Sequence, residues 1–403
     1  MQVSGKETPY SNNNNHFQRY LQYTDAILSS YHGREPFHIF LKKYFSLNKK
    51  HGSEDRKLIS ALCYNFFRVG FGVSKDVNQI EKFYLSTSLC ETSPLSLLQI
   101  FMPELNSSIS LPITDKLKVA GEKFNVEKIF PFANELSNEI NIRQFNLSFL
   151  IQPKIFIRIR PGFKKIVTNK IKQSGFIFEQ LEGDCIAFAN NEKVTDVLTV
   201  DKEAVVQDYN SQKTLNLLKP LAEGSNIDLA IWDCCAGSGG KSIFAFDVFK
   251  KIRLTVSDRR KDILENLRLR FSAADIKNYR LLSVDLEKSS AKITESFEII
   301  IADVPCTGSG TWARTPERLH FFKETEVRNY ALLQRKIVDN ALPQLKTNGY
   351  LLYITCSVFK KENEENVAFF KENFKMNLIE SEYLKGYEMQ ADTLFVALFT
   401  KVA

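Results

Sequence analysis

The chain has 403 residues, 44% of them hydrophobic and 25% charged, with a formal net charge of +7. This composition excludes a disordered chain and predicts two or three globular domains, and no apolar run approaches the roughly 18 residues that span a membrane. Seven cysteines lack the spacing of a disulfide framework, and five histidines lack metal-ligand spacing. We therefore expect a cytoplasmic, monomeric protein that binds neither a membrane nor a metal.

Residues 1–145 carry apolar side chains at helical spacing, which predicts an all-helical N-terminal domain. Many of its aromatic residues keep the helical period, so we interpret them as core and not as a surface for stacking bases. These are Phe37, Tyr44, Phe45, Tyr64, Phe66, Phe67 and Phe71. The lysines and arginines between them could contact phosphate or simply face solvent.

Residues 146–205 predict a small basic α+β subdomain. Alternating apolar and polar residues from Ile155 to Arg160 indicate a strand, and a helical stretch and two further strands follow. A strand, helix, strand, strand order is typical of the split-βαβ arrangement, which recurs in RNA-contacting, RRM-like modules. Residues 154–172 hold seven basic residues and no acidic one. That run fits a phosphate-binding surface and a solvated face about equally well.

Residues 206–403 alternate apolar strands with amphipathic helices, which predicts an α/β doubly wound sheet. Helices are predicted at 261–274, 332–345 and 361–373. A final edge strand is predicted at 394–401. The other predicted strands are Leu229–Asp233, Arg253–Ser257, Arg280–Val284, Glu298–Ala302 and Tyr350–Thr355.

Chemistry-bearing side chains follow several of these strands. Asp303 and Cys306 come directly after one buried strand, and Cys356 ends another. Ligands in open α/β sheets bind outside the carboxyl ends of the strands. We therefore expect an acid and two thiols at one rim of the sheet.

A glycine-rich loop follows the first strand of this sheet, with Gly237, Gly239 and Gly240 before Lys241 and the start of a helix. It is not a phosphate-binding P-loop, because that motif requires glycine at the position of Cys235. Asp258 ends the second strand, 21 residues after Gly237, as expected for an acid that binds a ribose diol.

Asp285 ends the third strand, so acids close strands two, three and four of a nucleoside site. S-adenosyl-L-methionine fits this pattern, with its diol at Asp258, its adenine near Asp285 and its charged groups near Lys241 and Asp303. A methyl donor also gives the thiols a role, because carbon 5 of cytosine becomes nucleophilic once a thiolate adds to carbon 6.

Four segments resemble the NOP/Sun family of RNA (cytosine-5)-methyltransferases, especially the bacterial Sun (RsmB)-type 16S rRNA enzymes. They are Val206–Gln212, Cys235–Lys241, Asp303–Gly310 and Thr355–Ser357 with Glu362–Glu365. The resemblance covers the chain from about residue 205 onward and implies a class I methyltransferase-like fold at 206–403. It also implies, in outline only, an RNA-binding role for residues 1–145.

The resemblance further implies residue roles. Cys356 is the expected nucleophile, Cys306 helps to release the product, and Asp303 lies near the methyl donor and the target base. The expected cofactor contacts are Cys235, Ala236, Gly237, Ser238, Gly239, Gly240, Lys241, Asp258, Asp285 and Asp303. The expected RNA contacts are Arg158, Arg160, Lys164, Lys165, Gln207, Asp208 and Arg314. The loop departs from the family's commoner Ala-Ala-Pro-Gly-Gly, since it reads Ala-Gly-Ser-Gly-Gly.

The expected activity is methylation of carbon 5 of a cytidine in RNA, with ribosomal RNA as the expected substrate. The same reaction on tRNA is the alternative, as is a catalytically idle RNA-binding protein, which would not need Cys356. A DNA cytosine-5 methyltransferase is rejected, because Glu365-Asn366-Val367 lies in a helical stretch and no target-recognition insertion fits. An NAD dehydrogenase would leave both thiols unexplained.

Overall fold

The computed structural model describes residues 9–223, 228–249, 251–288 and 293–402. Residues 1–8 lie outside these ranges. The chain divides into two compact units. Unit 1 comprises residues 1–133, 141–152 and 312–322, and unit 2 comprises residues 134–140, 153–311 and 323–403. Within the described ranges, no helix combines the length and apolar character required to cross a bilayer.

The α-helices are numbered in chain order. They are α1 (Pro9–Ser30), α2 (Phe37–Leu47), α3 (Ser53–Arg68), α4 (Gln79–Cys90), α5 (Ser96–Phe101), α6 (Pro103–Ser108), α7 (Ile113–Ala120), α8 (Ile142–Phe149), α9 (Lys164–Ser174), α10 (Lys219–Glu223), α11 (Gly240–Val248), α12 (Lys261–Ala273), α13 (Arg318–Phe321), α14 (Thr325–Ala341) and α15 (Glu364–Asn373).

The strands are numbered in the same way. They are β1 (Ile155–Ile159), β2 (Phe178–Gln180), β3 (Cys185–Phe188), β4 (Ala204–Val206), β5 (Leu229–Asp233), β6 (Ile252–Asp258), β7 (Tyr279–Ser283), β8 (Phe297–Asp303), β9 (Leu345–Thr355), β10 (Met376–Leu384) and β11 (Leu394–Lys401).

Unit 1 holds helices α1 to α8 and α13, together with an isolated antiparallel bridge between Val73 and Phe124. Helix α2 shows how its core forms, since Phe37, Leu41 and Phe45 recur every four residues and all are buried. The aromatic residues are therefore mostly core or half-buried, as the sequence predicts. Phe71 is the exception, because 47% of its surface is exposed.

Unit 2 contains a four-stranded sheet in the order β2-β3-β1-β4. Strand β3 pairs antiparallel with both β1 and β2, so β1 and β2 are parallel and separated by β3. Helix α9 connects them, which confirms the split-βαβ arrangement. The sequence reasoning missed β4, which is only three residues long.

The second sheet of unit 2 has the order β10-β11-β9-β8-β5-β6-β7. Strands β5 to β9 pair in parallel, and β11 pairs antiparallel with both β9 and β10. The four consecutive buried residues that end β5 show that both faces of the sheet are covered. Strand β6, which follows β5, lies on one side of the β5–β8 pair, and strand β9, which follows β8, lies on the other side. A topological switch point therefore lies between β5 and β8.

Five predicted strands of this sheet are found with small shifts in their ends, and the doubly wound fold is confirmed. The predicted edge position of residues 394–401 is wrong, because β10 pairs with β11 on its outer side. The helix predicted at 332–345 runs instead from Thr325 to Ala341, since Pro343 cannot continue it. The helix predicted from residue 361 begins at Glu364 after a 3₁₀ turn.

Candidate active site

The glycine-rich loop makes a tight turn between β5 and α11. Gly237 and Gly239 have φ angles of +53° and +84°, which side chains other than glycine rarely adopt. A Cβ atom on Gly239 would lie 2.8 Å from the Phe271 ring and 3.0 Å from Leu267. Glycine therefore lets the loop pack directly on α12, and α11 begins at the next residue, Gly240.

Asp258 closes β6 beside this loop. The Gly237 N–H donates to Asp258 Oδ2 at 3.1 Å, and the Arg260 guanidinium donates to both carboxylate oxygens at 3.0 Å. Burial raises the pKa of Asp258, but the bonds from Arg260 and Gly237 outweigh burial and lower it below its usual value. The carboxylate is therefore charged at neutral pH and fixed in position.

Lys241 and Asp303 form the central ion pair of the site, with Lys241 Nζ 2.6 Å from Asp303 Oδ2. Burial alone would lower the pKa of Lys241, but the charge and hydrogen bond of Asp303 raise it, with a smaller contribution from Cys356. The ammonium group thus places positive charge close to both the acid and the thiol that the sequence singled out.

Asp233, the last residue of β5, lies fully buried beneath the loop and accepts a 2.6 Å hydrogen bond from Ser242 Oγ. Burial raises its pKa to about 7, and the negative charge of Asp303 contributes in the same direction. Its second oxygen, Oδ1, has no hydrogen-bond partner within the described part of the chain. Asp233 is therefore a buried acid with one unsatisfied oxygen, and it lies near enough to the Lys241–Asp303 pair to feel its charges.

The two predicted thiols lie in direct contact. Cys306 Sγ is 3.2 Å from Cys356 Sγ and also accepts the backbone N–H of Cys356 at 3.3 Å. The hydrogen bond with Cys356, and then burial, raise the pKa of the Cys306 thiol well above its usual value. Cys306 therefore keeps its proton at neutral pH and can donate it towards the sulfur of Cys356.

Gly310 links the loop that carries Cys306 to the loop that carries Cys356. Its N–H donates to the Cys356 carbonyl and its own carbonyl accepts from Thr393, both at 2.9 Å. A Cβ atom at this position would lie 2.0 Å from the Thr393 carbonyl oxygen. Only glycine allows the main chains to approach this closely.

Glu362 belongs to the segment Glu362–Glu365 that resembles the family, but the sequence predicted no role for it. It is fully buried, and its carboxylate accepts the N–H of Thr307 at 2.9 Å and the hydroxyl of Thr307 at 2.8 Å. Burial raises its pKa. The neighbouring Asn363 accepts from Thr355 Oγ1 at 2.6 Å and donates to the Ser357 carbonyl at 2.8 Å. These two residues brace the main chain next to each cysteine.

A cleft of about 430 Å³ opens at this rim of the sheet, which is a volume typical of small-ligand sites. It brings together both cysteines, the three strand-end acids and part of the glycine loop. The residues that line it include Cys235, Gly237, Asp258, Arg260, Asp285, Leu286, Asp303, Pro305, Cys306, Tyr330, Ile337 and Cys356. Of the predicted cofactor contacts, five are not part of this lining: Ala236, Ser238, Gly239, Gly240 and Lys241.

Two predicted RNA contacts, Arg158 and Arg160, are buried and already paired. Both guanidinium groups contact Asp247 of α11, at 2.6 Å and 2.8 Å, and Arg160 also donates to the carbonyls of Asp201 and Ala274. In this conformation both arginines connect the small sheet to the large one. Lys164 and Lys165 are exposed on α9, where Lys164 forms an ion pair with Asp184.

Gln207 and Asp208, also predicted to contact RNA, hold main chain together within unit 2. Gln207 accepts a hydrogen bond from Arg158 Nε at 3.0 Å, and Asp208 accepts the N–H of Asp392 at 3.0 Å. Arg314 is half-buried in the 312–322 segment of unit 1. Within unit 2, the predicted RNA contacts are partly buried in internal pairings and partly exposed on α9.

Residues 217–397 match the model of a family described as 16S rRNA methyltransferase RsmB/F. Over these residues the chain is similar to the RsmB/F methyltransferases. The resemblance seen in the sequence is thereby confirmed for a region that holds the glycine loop, the three acids and both cysteines.

Curated relatives of this RsmB/F region agree with the match. The chain is 30% identical over 191 residues to the ribosomal RNA small subunit methyltransferase B of Shewanella oneidensis, covering 47% of this chain and 44% of that protein. It is 28% identical over 169 residues to the enzyme of the same name from Photorhabdus laumondii, covering 41% and 37%. The matched stretches thus span less than half of either relative.

Solved structures extend the likeness in fold beyond the RsmB/F region. The protein PH0851 superposes with a TM-score of 0.68 at 17% identity and covers 99% of this chain and all of its own. A methyltransferase homologue from Pyrococcus horikoshii gives 0.55 at 18% identity, covering 66% of this chain and 92% of its own. NSun6 from the same organism gives 0.55 at 16% identity, covering 65% and 94%. The fold is that of class I methyltransferases.

Proposed function

We propose that the protein transfers a methyl group from S-adenosyl-L-methionine to carbon 5 of a cytidine in RNA, with ribosomal RNA as the substrate. The observation that carries the proposal is the contact between Cys306 and Cys356 on the rim of a cleft that holds three strand-end acids. A methyltransferase whose target atom is already nucleophilic would need neither thiol.

The cleft fits the cofactor by its chemistry. When bound, S-adenosylmethionine supplies an activated methyl group on a positively charged sulfur. Asp258 presents a charged, fixed carboxylate that accepts hydrogen bonds from a ribose diol. The Arg260 guanidinium donates to the same carboxylate, so it shares the two oxygens with the diol or moves away when the diol binds. Asp285 lines the same cleft, near the expected place of the adenine amino group. Asp303 adds negative charge beside the thiols, which favours a cationic group there.

The thiols then perform the covalent steps. The thiolate of Cys356 adds to carbon 6 of cytosine, forming a carbon–sulfur bond and placing the electron pair at carbon 5. Carbon 5 takes the methyl group, and a base removes the proton that carbon 5 still carries. The carbon–sulfur bond then breaks, which regenerates the thiolate and frees the methylated base. Cys306, which holds its proton, assists this release through its contact with Cys356.

The base must leave its stack to reach the two sulfur atoms, because carbon 6 of a stacked, paired cytosine is inaccessible to a side chain. Ribosomal RNA is the preferred substrate because the curated relatives of residues 217–397 are named ribosomal RNA small subunit methyltransferases. A tRNA is the alternative substrate of the same reaction.

The test is methyl transfer from radiolabelled S-adenosylmethionine to purified ribosomal RNA and, separately, to tRNA, followed by digestion to nucleosides. We expect label in 5-methylcytidine from ribosomal RNA, and none with a Cys356→Ala variant. Label in another nucleoside, or transfer by Cys356→Ala at the wild-type rate, would contradict the proposed chemistry. Label in tRNA alone would contradict the proposed substrate.

A further inference from the structure

Unit 1 contains a pocket of about 670 Å³ that belongs to none of the chemistry above. We call it the helical-unit pocket. It lies where the chain leaves α3, near the start of α4, and the residues that matter for its chemistry are Phe71, Lys75, Lys82, Lys128, Phe130 and His320. This lining combines aromatic rings with positive charge, which is the combination that proteins use to bind single-stranded nucleic acid.

Three rings form a stack at the pocket wall. His320 lies between Phe66 and Phe71, with ring centroids 5.9 Å and 5.2 Å away and interplanar angles of 21° and 29°. Phe71 ends the stack and is 47% exposed, although the neighbouring Phe67 is buried. An exposed phenylalanine at the end of a stack offers a flat surface on which a further ring can pack.

Three lysines surround this stack, and none of them has an ion-pair partner among the described residues. Lys82 is the most buried of them, with its Nζ 4.0 Å from the centroid of the Phe66 ring. Burial lowers the pKa of Lys82. Lys75 and Lys128 are exposed at the pocket mouth. An unpaired, partly buried ammonium group is costly, and an anion that entered the pocket would remove that cost.

His320 has an unpaired hydrogen-bond acceptor. Its Nε2 is buried and has no partner in the described part of the chain, while the ring is bonded to the main chain of Phe67. Burial, and then the charge of Lys82, lower the pKa of His320 to about 4. The ring is thus neutral at pH 7 and stacks without charge between Phe66 and Phe71.

We propose that the helical-unit pocket binds one nucleotide of the RNA, with its base stacked on Phe71 and its adjoining phosphates held by Lys75, Lys82 and Lys128. This inference rests on the proposed function in that RNA is the macromolecule bound. It assigns unit 1 a defined contact at which single-stranded RNA is held by stacking and by charge.

The test measures the affinity of the full chain for a fluorescein-labelled single-stranded RNA. Phe71→Ala removes the stacking surface and should weaken binding by about 5- to 150-fold. The double variant Lys75→Gln/Lys128→Gln should lower the slope of log affinity against log salt by about 1.4, because two phosphate contacts are lost. His320→Phe keeps the ring stack and should bind RNA nearly as the wild type does, because the buried Nε2 does not face the ligand.

Lys118→Gln is the matched control, because Lys118 is exposed on α7 of the same unit and lies outside the pocket lining. It should bind RNA as the wild type does. Photocrosslinking with 4-thiouridine RNA should label a peptide that contains Phe71 or His320. Wild-type affinity and salt slope in all the pocket variants would overturn the inference. Crosslinks confined to other peptides would also overturn it, as would binding of an apolar peptide in the pocket without any binding of RNA.

The outcome is separable from that of the proposed function. If the wild type methylates cytidine but the pocket variants bind RNA normally, the pocket inference fails and the proposed function stands. If RNA affinity falls in the pocket variants while the wild type transfers no methyl group, the proposed function fails and the pocket stands.

Discussion

Cys306 and Cys356 are 50 residues apart in the chain, yet their sulfur atoms lie 3.2 Å apart. The register of the sheet imposes this contact, because β8 and β9 are parallel neighbours in which Asp303 pairs with Ile354. Cys306 is the third residue after β8 and Cys356 is the first after β9, so both lie at the rim of the sheet. Gly310 and Glu362 then hold the two loops together.

Arg160 is predicted to stabilise the fold of unit 2. Replacing it with alanine leaves Asp247 with one guanidinium partner and leaves the Asp201 and Ala274 carbonyls without their donor. We expect the free energy of unfolding to fall by about 3 kcal/mol in chemical denaturation. Lys165→Ala, an exposed change on α9, should leave stability within about 0.5 kcal/mol of wild type. Equal stability of the two variants would contradict the structural role of Arg160.

Asp258 is predicted to govern cofactor affinity through its hydrogen bonds to the diol. Asp258→Ala should weaken the binding of S-adenosylhomocysteine, measured by calorimetry, by about 10- to 100-fold. Arg260→Ala is the paired variant, since it removes the guanidinium from Asp258 but leaves both acceptor oxygens in place. Its affinity should change less than about threefold. A larger loss in Arg260→Ala than in Asp258→Ala would show that the assignment is wrong.

Glu362 is predicted to act as a positioning residue. Glu362→Ala removes the hydrogen bonds that the buried carboxylate accepts from the N–H and hydroxyl of Thr307, and it should destabilise the protein by about 2–4 kcal/mol. Glu362→Gln keeps an acceptor, so it should retain most of the stability while lowering kcat more than it raises KM. Glu365→Gln, an exposed change three residues later, is the control. Wild-type kcat in Glu362→Gln would argue against positioning.

Asp233 is predicted to make stability depend on pH. Its pKa is about 7 in the folded state, against an ordinary value near 3.8, so between these values the folded state binds the extra proton. The free energy of unfolding should therefore fall as the pH rises through about 4 to 7, by at most about 4 kcal/mol from this group. Urea denaturation at several pH values should show that Asp233→Asn removes this component. The same slope in both proteins would contradict the assignment.

The sequence predicted the large sheet because its parallel strands are buried on both faces and read as apolar runs, as from Phe297 to Ala302. The sequence also predicted that acids and thiols meet at one rim of the sheet, because these residues directly follow the apolar runs. It could not predict β10, whose exposed face carries Asn377, Glu380 and Glu382 and whose pattern resembles a loop. It placed β11 at the edge because an apolar run does not reveal what pairs with its outer side.

Long-range pairings also escaped the sequence. Asp247 lies 87 residues from Arg160 in the chain. The sequence around Arg160 therefore does not show that its guanidinium group, which was expected to bind RNA, pairs with Asp247. Phe71 kept the helical period of its neighbours, yet α3 ends at Arg68 and leaves that ring at the surface. The bracing role of Glu362 depends on the return of the chain from β9 past Thr307, which no spacing in the sequence shows.

The most direct test of the central claim is trapping of the covalent intermediate. The Cys306→Ala variant is incubated with S-adenosylmethionine and ribosomal RNA that is unmethylated at the target cytidine, then denatured and analysed for a protein–RNA adduct by gel and by mass spectrometry. We predict an adduct linked through Cys356 in Cys306→Ala, and none in the Cys306→Ala/Cys356→Ala double variant. No adduct in Cys306→Ala, together with full methyl transfer by Cys356→Ala, would contradict the assigned roles.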